Sequence, residues 1–209
     1  MTYPGRLEVI TDHTLDVSLL DTDGCEGWVL EAGCRDFTFA RRLAKKGLYV
    51  CALDPDPGVE MPEGAERIVF LNVALATYAG EGALVMTKDP QARYLAGPRG
   101  APASLLSVTV RTVTVPMLLE KMRIQRFEAV KLDIEGTEYE ILLGWPGPVS
   151  KQISVEFHEH VRPRPPELYD EIFAHLGQWY EVVQHEKTTR HFCAPNYWDS
   201  LFVLKEALR

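Results

Sequence analysis

The segment Val130-Lys131-Leu132-Asp133-Ile134-Glu135-Gly136 sets three charged side chains at alternate positions in an otherwise apolar run. Such a run reads as a central strand of a parallel sheet, where both faces are normally buried. Lys131, Asp133 and Glu135 therefore need either one another or a wet crevice. A second polar group follows, in which Glu156, His158 and His160 share one face for as long as the chain stays extended. Carboxylates and imidazoles so placed are proton acceptors, and Asp133, Glu156 and His158 are the candidates for that role. With His160 they could also offer oxygen and nitrogen ligands to a divalent metal. Arg162 and Arg164 lie close by in sequence and oppose a dication, so the metal-free reading is preferred and no metal ligand is assigned.

Earlier in the chain, Glu31 and Gly33 close one apolar run and Asp54 closes the next. The separation of about 20 residues between a turn glycine and an acid is that of phosphate turn and ribose-binding carboxylate in dinucleotide folds, which points to a nucleoside ligand. The turn Glu31-Ala32-Gly33-Cys34-Arg35-Asp36-Phe37 is not G-x-G-x-x-G, however, so the cradle for a pyrophosphate is missing and NAD is disfavoured. An adenosyl ligand without phosphates, such as S-adenosylmethionine, needs only one close backbone approach and an acid for the ribose hydroxyls.

These residues fall at the ends of alternating elements. Trp28-Val29-Leu30 reads as a strand. Asp36 can cap a helix carrying Phe37, Ala40, Leu43 and Ala44 at helical spacing, which Gly47 stops before the strand Leu48 to Leu53. Arg67 to Leu71 is a third strand ending near Asn72, and Gly82 to Thr87 adds a short one. Residues 88–104, rich in Gly and Pro, read as a surface loop or lid. Alternation over Ser107 to Val115 gives a half-exposed strand, and Pro116 suits the first turn of a helix reaching Met122. Phe127 to Asp133 and Lys151 to Phe157 are strands separated by a helix over Thr137 to Leu143. After a helix over Pro166 to Leu176, strands at Tyr180 to Val183 and Leu201 to Leu204 have no helix between them and so are predicted to pair antiparallel. The fold class is α/β with a mostly parallel central sheet, in a single domain over residues 1–209 with a short N-terminal extension over 1–26.

Composition narrows the function further. With 22 basic and 30 acidic residues the net charge is −8, and there is no stripe of lysine and arginine, so a nucleic-acid partner is disfavoured and a small-molecule substrate is expected. No apolar run approaches the roughly 20 residues that span a bilayer, and the N-terminus lacks the apolar core of a secretory signal, so no membrane partner is expected and the compartment is the cytoplasm. Cys25, Cys34, Cys51 and Cys193 show no C-x-x-C pairing and read as reduced core thiols.

The run Lys131-Leu132-Asp133-Ile134-Glu135-Gly136-Thr137-Glu138-Tyr139-Glu140-Ile141-Leu142 resembles the signature of the FkbM-type methyltransferase family, in which lysine, aspartate, glutamate and glycine precede a glutamate and an apolar helix. Thr112 to Leu119, Asn72 to Leu75 and Ile153 to His158 are similar to the elements around that motif, and the resemblance spans about residues 28 to 205. It implies a Rossmann-like class I methyltransferase fold, S-adenosyl-L-methionine as cofactor and methylation of a hydroxyl on a small molecule or sugar. It also implies that Glu31 and Gly33 lie beside the methionine end, Asp54 on the ribose, and Asn72 and Ala74 near the adenine or the acceptor. Asp133 would touch both cofactor and reacting atoms, with Lys131, Glu135 and His160 towards the substrate. Phe37 occupies roughly the place of the family's second glycine, which keeps open an alternative, a non-catalytic module that binds S-adenosylmethionine or a nucleoside. The short region before Trp28 implies an acceptor site that is open or completed by another chain.

Overall fold

The structure, a computed structural model, describes residues 3–22, 27–97, 100–158, 167–188 and 197–209. In chain order the strands and helices are β1 (Leu7–Ile10), β2 (His13–Asp16), β3 (Trp28–Ala32), α1 (Thr38–Lys45), β4 (Tyr49–Leu53), β5 (Ile68–Leu71), β6 (Ala74–Leu75), β7 (Gly80–Val85), β8 (Tyr94–Leu95), β9 (Ser107–Val113), α2 (Val115–Met122), β10 (Ala129–Leu132), α3 (Glu138–Leu143), β11 (Gln152–His158), α4 (Glu167–Leu176), β12 (Tyr180–Thr188) and β13 (Tyr197–Leu204). Short 3-10 turns follow β2, precede β8 and end the chain.

Seven strands form the central sheet in the order β12, β13, β11, β10, β3, β4, β5. The pairs β11–β10, β10–β3, β3–β4 and β4–β5 are parallel, and β13 is antiparallel to both of its neighbours, as expected for the C-terminal strand pair. This is the Rossmann-like α/β arrangement, and its strand order reverses between β3 and β10, the place where open parallel sheets bind ligands. A second sheet, β6-β9-β7-β8, extends from the loop after β5.

Each face of the central sheet has its own core. On one side Leu118 of α2, Ile141 and Leu142 of α3, and Ile172 and Leu176 of α4 pack on Leu30, Val130, Leu132 and Val155. On the other, Phe39, Ala40 and Leu43 of α1 share a buried cluster with Val29, Val50 and Ala52 of the sheet and with Ile10 and Leu15 of the N-terminal hairpin. Helix starts follow local chemistry: Thr114 Oγ1 accepts from the Met117 amide with Pro116 beside it, and Asp36 Oδ1 accepts from Thr38 N.

The structure adds detail at three places. The region before Trp28 is not a bare extension, because β1 and β2 pair in register from Leu7 with Asp16 to Ile10 with His13 and dock on β11. Gln152, fully buried, accepts from Asp16 N at 2.7 Å and donates to Asp16 O at 2.9 Å, which satisfies both polar atoms of its amide on the hairpin backbone. Residues 88–104 include β8, which pairs with β7. Strand β10 ends at Leu132, so Asp133 and Glu135 sit in the turn beyond it; Glu135 has φ 59° and Gly136 φ 100°, both left-handed.

Candidate functional site

The ends of β3, β4, β10 and β11 open onto one cavity of about 390 Å³, within the range that holds a small ligand or cofactor. Glu31, Gly33, Asp54, Ala74, Lys131, Asp133, Glu135, Glu156 and His158 all line it. Asn72 does not, and His160 lies outside the described residues.

Gly33 begins the turn after β3 with φ 82°, and a Cβ there would stand 1.8 Å from the Asp133 carbonyl oxygen. Only glycine fits such a place, because its backbone conformation and the neighbouring peptide both exclude a side chain. Phe37 also has left-handed backbone, φ 59°, which few residues other than glycine adopt. Burial at 2% exposure and an edge-on contact with Phe70 at 5.2 Å hold it there.

Asp54 accepts from two backbone amides, Arg35 N at 3.0 Å through Oδ2 and Asp56 N at 2.9 Å through Oδ1. Burial nevertheless pushes its carboxyl above the ordinary carboxylate range, against the pull of those donors. Asp56 is ion-paired to Arg93, with Arg35 3.9 Å away. Asn72 is spent on structure: its amide donates to the Asp54 and Asp56 carbonyls, each at 2.8 Å, and so braces the loop rather than the ligand.

Lys131 and Glu31 are register partners on β10 and β3, which places their side chains on the same face. Lys131 Nζ donates to Gly33 O at 2.8 Å and lies 3.1 Å from Asp133 Oδ2 and 3.7 Å from Glu31 Oε1. Burial would lower the lysine, but Asp133 and Glu31 raise it, so it stays charged. Burial would raise Asp133, yet Lys131, His13 and His158 hold it well below the usual range. Glu31 is pushed up to about 8 by burial, Lys131 offsetting only part of it.

At the far end, His158 Nδ1 is 2.7 Å from Glu138 Oε1, and Nε2 is 3.5 Å from Asp133 and 3.6 Å from Glu135. Burial disfavours its charge, but these three carboxylates lift its pKa to about 10, which makes it an imidazolium at neutral pH and a poor proton acceptor. Glu156 is raised to about 8 and Glu135 to about 7, in both cases first by burial. Sequence reading missed Asp12, His13, Asp56, Arg93 and Glu138. Only Glu138, inside the motif run, carried a signal, and its buried carboxylate also accepts from Ile134 N at 3.1 Å.

The chain matches the methyltransferase FkbM domain family over residues 31–187. No curated protein matches it by sequence. Among solved structures it is similar to magnesium protoporphyrin IX methyltransferase from Synechocystis PCC 6803 with bound SAM, at 14% identity over 87% of this chain and 72% of that one, TM-score 0.48. It is also similar to the Burkholderia thailandensis 1,6-didemethyltoxoflavin-N1-methyltransferase with bound 1,6-didemethyltoxoflavin and S-adenosylhomocysteine, at 16% identity, 86% and 71% coverage, TM-score 0.44. A TehB-like SAM-dependent methyltransferase from Corynebacterium glutamicum matches at 12% identity, 90% and 86% coverage, TM-score 0.41. Among the described residues, no helix is long and apolar enough to cross a membrane.

Proposed function

This chain belongs to the FkbM methyltransferase family, and from that premise we propose that it transfers a methyl group from S-adenosylmethionine to a hydroxyl of a small molecule or sugar. One observation carries the reading: Gly33 and Asp54 converge where the strand order reverses and open onto the same cavity as Asp133 and Glu156. The methionine end of the cofactor lies along Gly33 and Glu31, its ribose at Asp54, and its adenine towards Ala74, while Asp133 faces the sulfonium. Asn72 is withdrawn from this set, since its amide serves two carbonyls.

Methyl transfer is an in-line displacement in which an acceptor oxygen forms a bond to the methyl carbon as the carbon–sulfur bond breaks. Much of the acceleration can come from holding the two reactants in near-attack geometry, which the rigid ends of β10 and β11 suit. The hydroxyl proton leaves to an ionised carboxylate at that end, Asp133 or Glu135, rather than to His158 or Glu156, which are already protonated at neutral pH. Lys131 keeps the turn after β3 and the Asp133 side chain in fixed relation.

Calorimetry and thermal melting with S-adenosylmethionine and S-adenosylhomocysteine test the cofactor. A ligand that binds only the native state adds about 2.7 kcal/mol at 100 times its dissociation constant, and NAD should add nothing comparable. Absence of heat and of any melting shift with both adenosyl ligands at millimolar concentration overturns the proposal. Mass spectrometry of whatever copurifies with the protein addresses the acceptor.

A further inference from the structure

The hairpin brings to the β10–β11 end of the cavity two residues that lie outside the family match, Asp12 and His13. One ligand-type atom from each of Asp12, His13, Asp133 and Glu156 lies within 4.8 Å of all the others. His13 is 1% exposed, its Nδ1 is 3.2 Å from Ser154 Oγ, and its Nε2 has no hydrogen-bond partner among the described residues. That nitrogen points at two carboxylates, Asp133 Oδ2 at 3.7 Å and Asp12 Oδ1 at 3.8 Å.

Those separations are beyond hydrogen-bonding range but match the spacing of about 3 to 4 Å between ligands that share one ion. Ser154 can stand behind a ligating imidazole, because in the tautomer whose Nδ1–H donates to the hydroxyl the Nε2 lone pair faces the carboxylates. Charge points the same way. Three carboxyl groups meet here, and among the described residues the cations beside them are shared with other acids: Lys131, 3.1 Å from Asp133, with Glu31 at 3.7 Å, and His158, 3.5 Å from Asp133, with Glu138 at 2.7 Å. Asp133, Glu135 and His158 also cluster, but there Glu138 holds the imidazole at 2.7 Å and occupies its Nδ1.

We propose that Asp12, His13, Asp133 and Glu156 bind a divalent cation of the magnesium or manganese kind, as suits three oxygen donors and one imidazole. Its purpose rests on the methyltransferase reading: the ion would hold the acceptor oxygen in line with the sulfonium and favour loss of the hydroxyl proton. Binding itself does not depend on that reading. The arginines that disfavoured a metal in the sequence, Arg162 and Arg164, lie outside the described residues.

The test is titration of the full chain, stripped with chelator and free of adenosyl ligand, with Mn²⁺, followed by electron paramagnetic resonance of the free ion. One ion per chain is expected. Affinity should fall by about tenfold or more in Asp12→Asn, His13→Gln and Glu156→Gln, and should persist in His158→Gln. Asp12 is half-exposed on a turn, so its variant reports even where a buried one fails to fold, which circular dichroism checks. No stoichiometric binding by the folded parent up to millimolar Mn²⁺ or Mg²⁺, or binding unchanged in Asp12→Asn and Glu156→Gln, overturns the proposal. Manganese binding without a response to S-adenosylmethionine would instead remove the methyltransferase reading and leave the ion site standing.

Discussion

The two ends of the cavity handle buried charge in opposite ways. At the β4 end, Asp54 is held by two backbone amides, Asn72 by two carbonyls and Asp56 by Arg93. At the β10–β11 end, Asp12, Asp133, Glu135, Glu138 and Glu156 crowd around Lys131, His13 and His158, and carboxyls there are pushed up to about 7 and 8. Satisfied polar groups make a stiff, pre-shaped wall, which suits a ligand that must be recognised but not changed. Crowded carboxylates are costly in the folded chain, and they mark the end where protons or cations are handled.

The contrast breaks most visibly in turnover. Asp133→Asn should lower methyl transfer by about 10² to 10⁴ while the S-adenosylhomocysteine dissociation constant moves by less than about tenfold. A parallel loss of affinity would show that Asp133 serves to hold the cofactor rather than the reacting acceptor. Gly33→Ala should come next, destabilising the fold by about 2 to 4 kcal/mol, because the new Cβ meets a backbone carbonyl at 1.8 Å from a left-handed φ. Denaturant melting checks this, and an unchanged midpoint would mean the two turns separate freely.

Asp54→Ala should weaken S-adenosylhomocysteine by about 10- to 100-fold, as expected for losing charge-assisted ribose bonds, with a smaller loss of melting temperature from the Arg35 and Asp56 amides. Calorimetry showing parental affinity in the folded variant would demote Asp54 to a turn acid. The smallest effect belongs to the hairpin. Asp16 accepts from Tyr3 Oη at 2.6 Å, Arg6 N at 3.0 Å and Ser18 N at 2.9 Å. Burial raises its carboxyl, but Ser18, Tyr3 and Arg6 together hold it below the ordinary carboxylate range. A depressed pKa gives stability that is present above about pH 4 and lost as pH falls through the folded value. Asp16→Asn should therefore cost about 1 to 3 kcal/mol at neutral pH, and the gap to the parent should close on acidification. Melts between pH 2 and 7 decide it.

Where periodicity was long the fold was legible: α1, α2 and the strands β3, β4, β5 and β9 lie within a few residues of their expected places. Lys131, Asp133 and Glu135 line the cavity, as the alternating charges of their motif suggested, but its backbone was not legible, since a left-handed Glu135 leaves no mark in apolar patterning. Asn72 fell at the right strand end, yet its amide turns to carbonyls that only the folded loop supplies. His13 escaped because β1 and β2 have four residues each, too short for alternation to stand out, and its meaning depends on Ser154, far along the chain. Where the sequence suggested an acceptor site open or completed by another chain, Thr11 and Asp12 of the same chain line the cavity.

The close approach of Gly33 to Asp133 has a consequence for binding order. The peptide groups of the two turns touch, and Asp133 N also donates to Ala32 O at 3.2 Å, so neither turn can shift without carrying the other. A molecule that displaces the backbone after β3 thereby changes the shape met by a second molecule after β10. Linkage makes this reciprocal: whatever factor the first occupant applies to the second's affinity, the second returns to the first. The two compartments are therefore expected to fill as communicating vessels rather than as independent ones.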